Sequence, residues 1–288
     1  MHLDAATLLL QWATGGLAFL WLTTRGRLVS LGYGWLLRGV FGVLAIGGIG
    51  AELRADHTGL GHVWFLVGGG GLVAGAAVAL LVSVVRRGAG VREAAAARLQ
   101  SAARVAAMAG GGEGHRSDVP ASTGPEFPPA LDLVAPIAGF VGLLGAAAFT
   151  GGSFALAAAR LVVGALFLGV VTDAMLLGHW YLTQPGLPRA PLKELVRWSA
   201  YVWPAEVLVM LLPRGVIGVL NSSRSDGYGG LLGWMWVVCA ITTAILFGVT
   251  WLALRERFYS AVMAATGLLY LAILTAFGTD LVARAVLA

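Results

Sequence analysis

Five ionisable residues stand inside long apolar runs: Arg38, Arg160, Asp173, Glu206 and Asp280. At membrane depth each costs a few kcal/mol on insertion scales, so each needs a partner, water or a role. Arg38, Asp173 and Glu206 form the more informative group. Counted from the start of their runs, Arg38 and Glu206 each lie ten residues in, near mid-depth, and Asp173 lies in the inner half of its run. The sequence predicts that Arg38 meets Glu206 or Asp173 inside the bundle. Such a group would line a polar pathway or a binding site, or else tie helices together. Arg160 and Asp280 fall in outer halves, where a structural ion pair is the plainer alternative. Glu206 also follows Trp203-Pro204, and a proline removes a backbone donor and kinks a membrane helix. Interrupted helices of this kind point to transporter sites.

A second constellation is TDAMLLGHWYLTQPGLP, residues 172–188. His179, Trp180 and Tyr181 could hydrogen-bond and stack on a quinone, or could anchor the helix at the interface. The sequence predicts that His179 and Asp173, about 9 Å apart along the axis, border one cavity. Haem is disfavoured, because His2, His57, His62, His115 and His179 offer no deep pair at one depth. Glu52, Asp56, His57 and His62 have metal-ligand chemistry, but AELRADHTGLGH reads as a solvated loop, and no metal site is expected. A single cysteine, Cys239, excludes an intrachain disulfide and a four-cysteine zinc site. There is no phosphate loop, GxSxG elbow or HExxH. Acid–base chemistry by the buried groups leaves an enzyme open.

The elements that carry these residues follow from composition. Of 288 residues, 58% are hydrophobic and 11% charged, with a mean hydropathy of +0.84. Soluble domains carry roughly 25% charged residues. Continuous apolar runs reach the ~20 residues that span a bilayer as a helix. The fold class is therefore all-α, a polytopic bundle of about eight transmembrane helices, with seven as the alternative. The predicted spans are 4–23, 28–50, 61–85, 131–150, 155–179, 196–213, 230–252 and 262–286, the sixth being weakest. No internal repeat is visible, since the long loop divides the spans three and five. The chain thus reads as residues 1–85 with three spans, a loop over 86–130, and residues 131–288 with five.

Arginines give the orientation. With the N-terminus outside, thirteen basic residues fall in inner loops and four outside, in keeping with the positive-inside rule. The net charge of +5 is spent there, so nucleic acid is not an expected partner. The 86–130 loop begins with helix formers and continues as a Gly/Pro/Ser-rich linker. Seven of ten tryptophans lie near span ends as an interfacial belt. Gly71 with Gly75, and Gly139, Gly142 and Gly145, suit close helix packing.

These observations exclude a soluble protein and predict a multi-pass protein of a bacterial cytoplasmic membrane. The leading functional expectation is ion-coupled transport or ion translocation through the polar residues. One rival is a quinone-touching accessory or anchor subunit of a respiratory complex, with other membrane subunits as partners. Another is a structural or assembly protein whose charges are static pairs.

Overall fold

The computed structural model describes residues 4–86, 127–150, 152–184, 187–212, 215, 231–256 and 258–287. The expected helix extension and linker in the long loop lie outside the described residues between 87 and 126. The described chain is all-helical: α1 Ala5–Thr24, α2 Leu31–Glu52, α3 Leu60–Val85, a 3-10 turn Pro129–Leu133 leading into α4 Val134–Phe149, α5 Phe154–Thr183, α6 Ala190–Leu211, α7 Leu231–Ala253 and α8 Tyr259–Leu287. Seven of these, all but α6, are long and apolar enough to cross a membrane by themselves. Lys193, Glu194, Arg197 and Glu206 lower the apolarity of α6. Yet its 22 residues run about 33 Å, and contacts at its two ends belong to opposite faces of the bundle. Arg189, at its start, reaches the α7–α8 turn at Phe258 O, 3.0 Å away, while its last turn meets Arg160 near the start of α5. Among the described residues, the protein is a multi-pass bundle of eight α-helices.

Local sequence explains the boundaries. Asp4 caps α1, its carboxylate accepting from Ala6 N at 3.1 Å and Thr7 N at 3.2 Å. Gly59, at φ +91°, turns the chain into α3, a conformation that side chains disfavour. Pro191 sits in the first turn of α6, where its missing N–H costs nothing. Pro204 lies within α6 without ending it.

Packing departs from the three-plus-five division expected from the loop. α1 packs on α2 and α4, and α3 on α2 and α4. The second half repeats this order: α5 packs on α6 and α8, and α7 on α6 and α8. α1 meets α5 between the halves, with α4 also touching α5. The molecule is thus a four-plus-four assembly whose repeat shows in helix adjacency, although no sequence repeat announced it. Burial agrees, since α1 and α5 hold the largest share of buried residues.

Without water to drive apolar association, membrane helices rely on close backbone approach. A Cβ at Gly68 would lie 2.2 Å from Gly142 N, which sets α3 against α4. A Cβ at Gly15 would lie 1.6 Å from Ala165 O, and one at Gly169 would lie 2.1 Å from Gly15 C. The seam between the halves is therefore backbone against backbone.

The start of α1 and the end of α8 lie on one face, since Gln11 of α1 bonds Arg284 of α8. This terminal face is the one that the arginine distribution assigns to the outside. The opposite, loop face carries Arg86 and Phe127, which flank the long loop.

Candidate functional site

Six of the eight buried charges among the described residues gather in two places, with Asp173 and Glu52 apart from both. On the terminal face, α1, α5, α6 and α8 bring together Gln11, Arg160, Glu206, Asp280 and Arg284, all buried. Asp280 and Arg284 are one turn apart on α8, so they share a face. Arg284 Nε donates to Asp280 Oδ2 at 2.8 Å, and its Nη2 donates to Gln11 Oε1. Gly164 makes room for this group, for a Cβ there would lie 2.0 Å from Gln11 Nε2 and 3.1 Å from Asp280 Oδ1. Arg160 donates from Nε to Val209 O at 3.1 Å and from Nη2 to Leu212 O. These are terminal carbonyls of α6, where a cation is favoured by the helix dipole.

Glu206 completes the cluster. It is fully enclosed, and the charged groups around it are Asp280, Arg284 and Arg160. Its carboxyl lies beside the Asp280 carboxyl. Neither Glu206 oxygen finds a donor among the described residues, nor do Gln11 Nε2 and the buried Trp236 Nε1 find acceptors there. Two ionised carboxylates offer only lone pairs to one another. One proton between them would turn the contact into a hydrogen bond. Fully ionised, the two acids and two arginines balance in charge, so that proton would leave the cluster with one positive charge.

The loop face holds the opposite case. Arg38 Nε donates to Asp132 Oδ1 at 2.8 Å and Nη2 to Asp132 Oδ2 at 2.7 Å, a two-pronged pair. Thr24 Oγ1 adds a third bond to Asp132 Oδ2 at 3.1 Å, and the guanidinium lies 5.0 Å from the centre of the Phe127 ring. A Cβ at Gly34 would lie 2.8 Å from Arg38 Nη1, so glycine leaves the guanidinium its space.

This corrects the expected pairing of Arg38 with Glu206 or Asp173. The cause is register. α2 begins at Leu31, so Arg38 is seven residues, about 10 Å, from the loop face. α6 begins at Ala190, so Glu206 is sixteen residues, about 24 Å, from the same face. Small boundary shifts in opposite senses place the two at different depths. The expected pair of Arg160 and Asp280 is replaced as well: Asp280 bonds Arg284, and Arg160 bonds the end of α6.

Asp173 is fully buried on α5, and neither carboxylate oxygen has a partner among the described residues. Its backbone carbonyl accepts from Tyr33 at 3.3 Å. Next to it, Thr172 Oγ1 accepts from Trp12 Nε1 at 2.8 Å. The expected cavity shared with His179 is not formed. His179 faces outward, its Nδ1 3.0 Å from the Tyr270 hydroxyl, while Asp173 is enclosed. Six residues on one helix put them about 120° apart around it.

Trp180 and Tyr181 are held as anchors. Trp180 Nε1 donates to Ser30 Oγ at 3.1 Å and its ring packs edge-on against Tyr33. Tyr181 donates to Pro188 O, while its own carbonyl accepts from Tyr259 at 3.0 Å. A cavity of about 460 Å³ does open between α6 and α7, lined in part by Tyr201, Trp203, Pro204, Phe247 and Trp251.

Three residues of the two clusters escaped the sequence reading. Gln11 carries no charge to draw notice. Asp132 sits at a span boundary, and Arg284 had been counted as an outer-face residue. The i, i+4 spacing of Asp280 and Arg284 was the available signal. In comparisons with known proteins, no family model, curated protein or solved structure matches the chain.

Proposed function

We propose that this protein moves protons, or a solute coupled to protons, across a bacterial cytoplasmic membrane, with Glu206 and Asp280 as the proton-binding pair. The carrying observation is the apposition of these two buried carboxyls with no donor for Glu206 among the described residues. A static ion pair is built to satisfy its members, as Arg38 and Asp132 are. A carboxyl pair that needs a proton to be satisfied is suited to take one up and release it. Arg284 and Arg160 hold the empty state near neutrality, and Gln11 offers a further polar atom beside it. Asp173, also without a side-chain partner among the described residues, is the next acid toward the loop face along α5, nine residues beyond Gly164 or about 14 Å.

The test is flux in sealed proteoliposomes with an imposed pH gradient and a pH-sensitive dye inside. Wild-type protein should dissipate the gradient, alone or with one member of a solute panel. Glu206→Gln should lose that activity while remaining folded. Wild-type liposomes no leakier than protein-free ones under every gradient and solute would overturn the proposal.

One observation favours a second reading, quinone contact by an accessory subunit. His179 and Tyr270 form a hydrogen-bonded pair on the outer surface of the bundle, 3.0 Å apart. Such a pair could meet a quinone headgroup arriving from the lipid. Quenching of tryptophan fluorescence by a ubiquinone analogue, lost in His179→Ala, would support this reading over the first.

A further inference from the structure

The terminal face carries a group of ligating side chains that the proton-binding cluster does not use. Glu52 ends α2 and is fully buried. Its Oε1 lies 2.7 Å from His62 Nδ1, and its Oε2 lies 3.1 Å from His57 Nδ1. Asp4, the cap of α1, joins them. One ligand atom each from Asp4, Glu52 and His57 can be chosen with all separations within 4.8 Å. The start of α1, the end of α2 and the turn that carries His57 thus place two carboxylates and one imidazole around one point, while His62, in the first turn of α3, holds Glu52.

The electrostatics of that point are unusual. A carboxylate at a helix C-terminus faces the negative end of the dipole. Glu52 is there, enclosed, with a second carboxylate close by. The nearest arginine in sequence, Arg54, turns away to donate to Gly50 O at 2.9 Å. No Lys or Arg ion pair to Glu52 occurs among the described residues. The imidazoles are the only nitrogen groups on Glu52 there, and both turn Nδ1 to it. The His57 ring is held in place by stacking on Phe149, 4.3 Å between centroids.

We infer that Asp4, Glu52 and His57 form a binding site for a divalent transition-metal ion of the zinc class, with His62 holding Glu52 in place from the other side. Mixed imidazole and carboxylate donors suit such ions, and three protein ligands at about 2.0–2.2 Å leave a fourth position for water or another ligand. Ligand atoms around such an ion stand roughly 3.3 Å apart. The His57–Glu52 distance of 3.1 Å needs to open by a few tenths of an ångström at most, and Asp4 has to close inward. A dication would also offset the two carboxylates that otherwise face one another without an arginine. Asp56, which the sequence placed in this group, is exposed; Asp4 takes its place from the start of α1. Closing the site would fasten the start of α1 to the end of α2 and the turn that follows it. It is independent of the proposed proton pathway.

The test uses the full chain, purified without a histidine tag, stripped with chelator and titrated with Zn²⁺ by calorimetry in detergent. Wild type should bind one equivalent saturably. Glu52→Gln and the double variant His57→Gln/His62→Gln should each weaken binding at least about tenfold. His115→Gln, in the long loop, should leave it unchanged. Binding should fall from pH 7 to pH 5 as the imidazoles take up protons. Nitrogen and oxygen scatterers near 2.0–2.2 Å in X-ray absorption would support the ligand set. If Glu52→Gln does not fold, the histidine variant and the absorption spectrum decide. No saturable Zn²⁺ binding, or binding indifferent to both the Glu52 and the histidine substitutions, would overturn the site. So would a wild type that, like the histidine variants, binds no metal and differs from them only in the pH dependence of its stability, leaving an imidazole–carboxylate cluster instead.

Discussion

The two buried charge clusters are built to different standards. Arg38 and Asp132 lie within one half of the molecule, on α2 and the 3-10 turn before α4, and their two-pronged pair gains a third bond from Thr24. The Glu206 cluster joins the halves, Gln11 coming from α1 and the rest from α5, α6 and α8. There the carboxyl oxygens of Glu206 and the amide nitrogen of Gln11 are left without partners among the described residues. Both clusters are enclosed to a similar degree. The difference is hydrogen-bond satisfaction, and it separates a strut from a site that has something left to bind.

The largest effect is expected where satisfaction is complete. Arg38→Ala leaves Asp132 buried without its partner and should cost about 3–5 kcal/mol. Loss of folded yield and a lower unfolding temperature in a fixed detergent would register it. Arg38→Met combined with Asp132→Leu should recover most of the loss. A stable Arg38→Ala protein would remove the contrast between the clusters.

Next comes the seam that carries both halves. Gly15→Ala forces a methyl into the Ala165 carbonyl and should destabilise by about 1–3 kcal/mol. Gly39→Ala, with open space at its Cβ, should be neutral or stabilising by up to about 1 kcal/mol. Equal unfolding temperatures for the two variants would show that α1 and α5 are not in backbone contact.

Glu206→Gln should change stability by less than about 1 kcal/mol, since the new amide can donate to Asp280. Proton flux should nevertheless fall at least about tenfold. A large loss of stability with flux retained per folded molecule would make the cluster a second strut. The smallest effect is expected at the rim. Tyr270→Phe removes one exposed hydrogen bond to His179 and should stay within about 0.5 kcal/mol in an unfolding assay.

Sequence alone delivered the helices, because an apolar run of about 20 residues has few other uses. It also marked Glu206, Asp173, Arg160 and Asp280 as buried, because an acid or arginine inside such a run has nowhere else to go. Partner choice was not legible. It depended on where α2 and α6 begin, and both beginnings are polar, so hydropathy placed them three and six residues astray. The burial of Glu52 was hidden for another reason. AELRADHTGLGH is rich in polar residues, and the approach of α1 and of Phe149, which stacks on His57, is not written in it. The four-plus-four plan was invisible because it resides in which helices touch. The long loop falls after α3, a place that suggests a different division.

The glycine seam has one further consequence. Interdigitated side chains lock two surfaces in register, whereas smooth backbone ridges act as a bearing. α1 and α5 meet through Gly15, Ala165 and Gly169, and so present the two four-helix halves with a surface on which to rock. The Arg284–Gln11 bond crosses that bearing on the terminal face and acts as its latch. Under the proposed function, a proton arriving between Glu206 and Asp280 would change the charge beside Arg284, and with it the grip of the latch. In such a design the coupling between protonation and motion needs no lever longer than one arginine side chain.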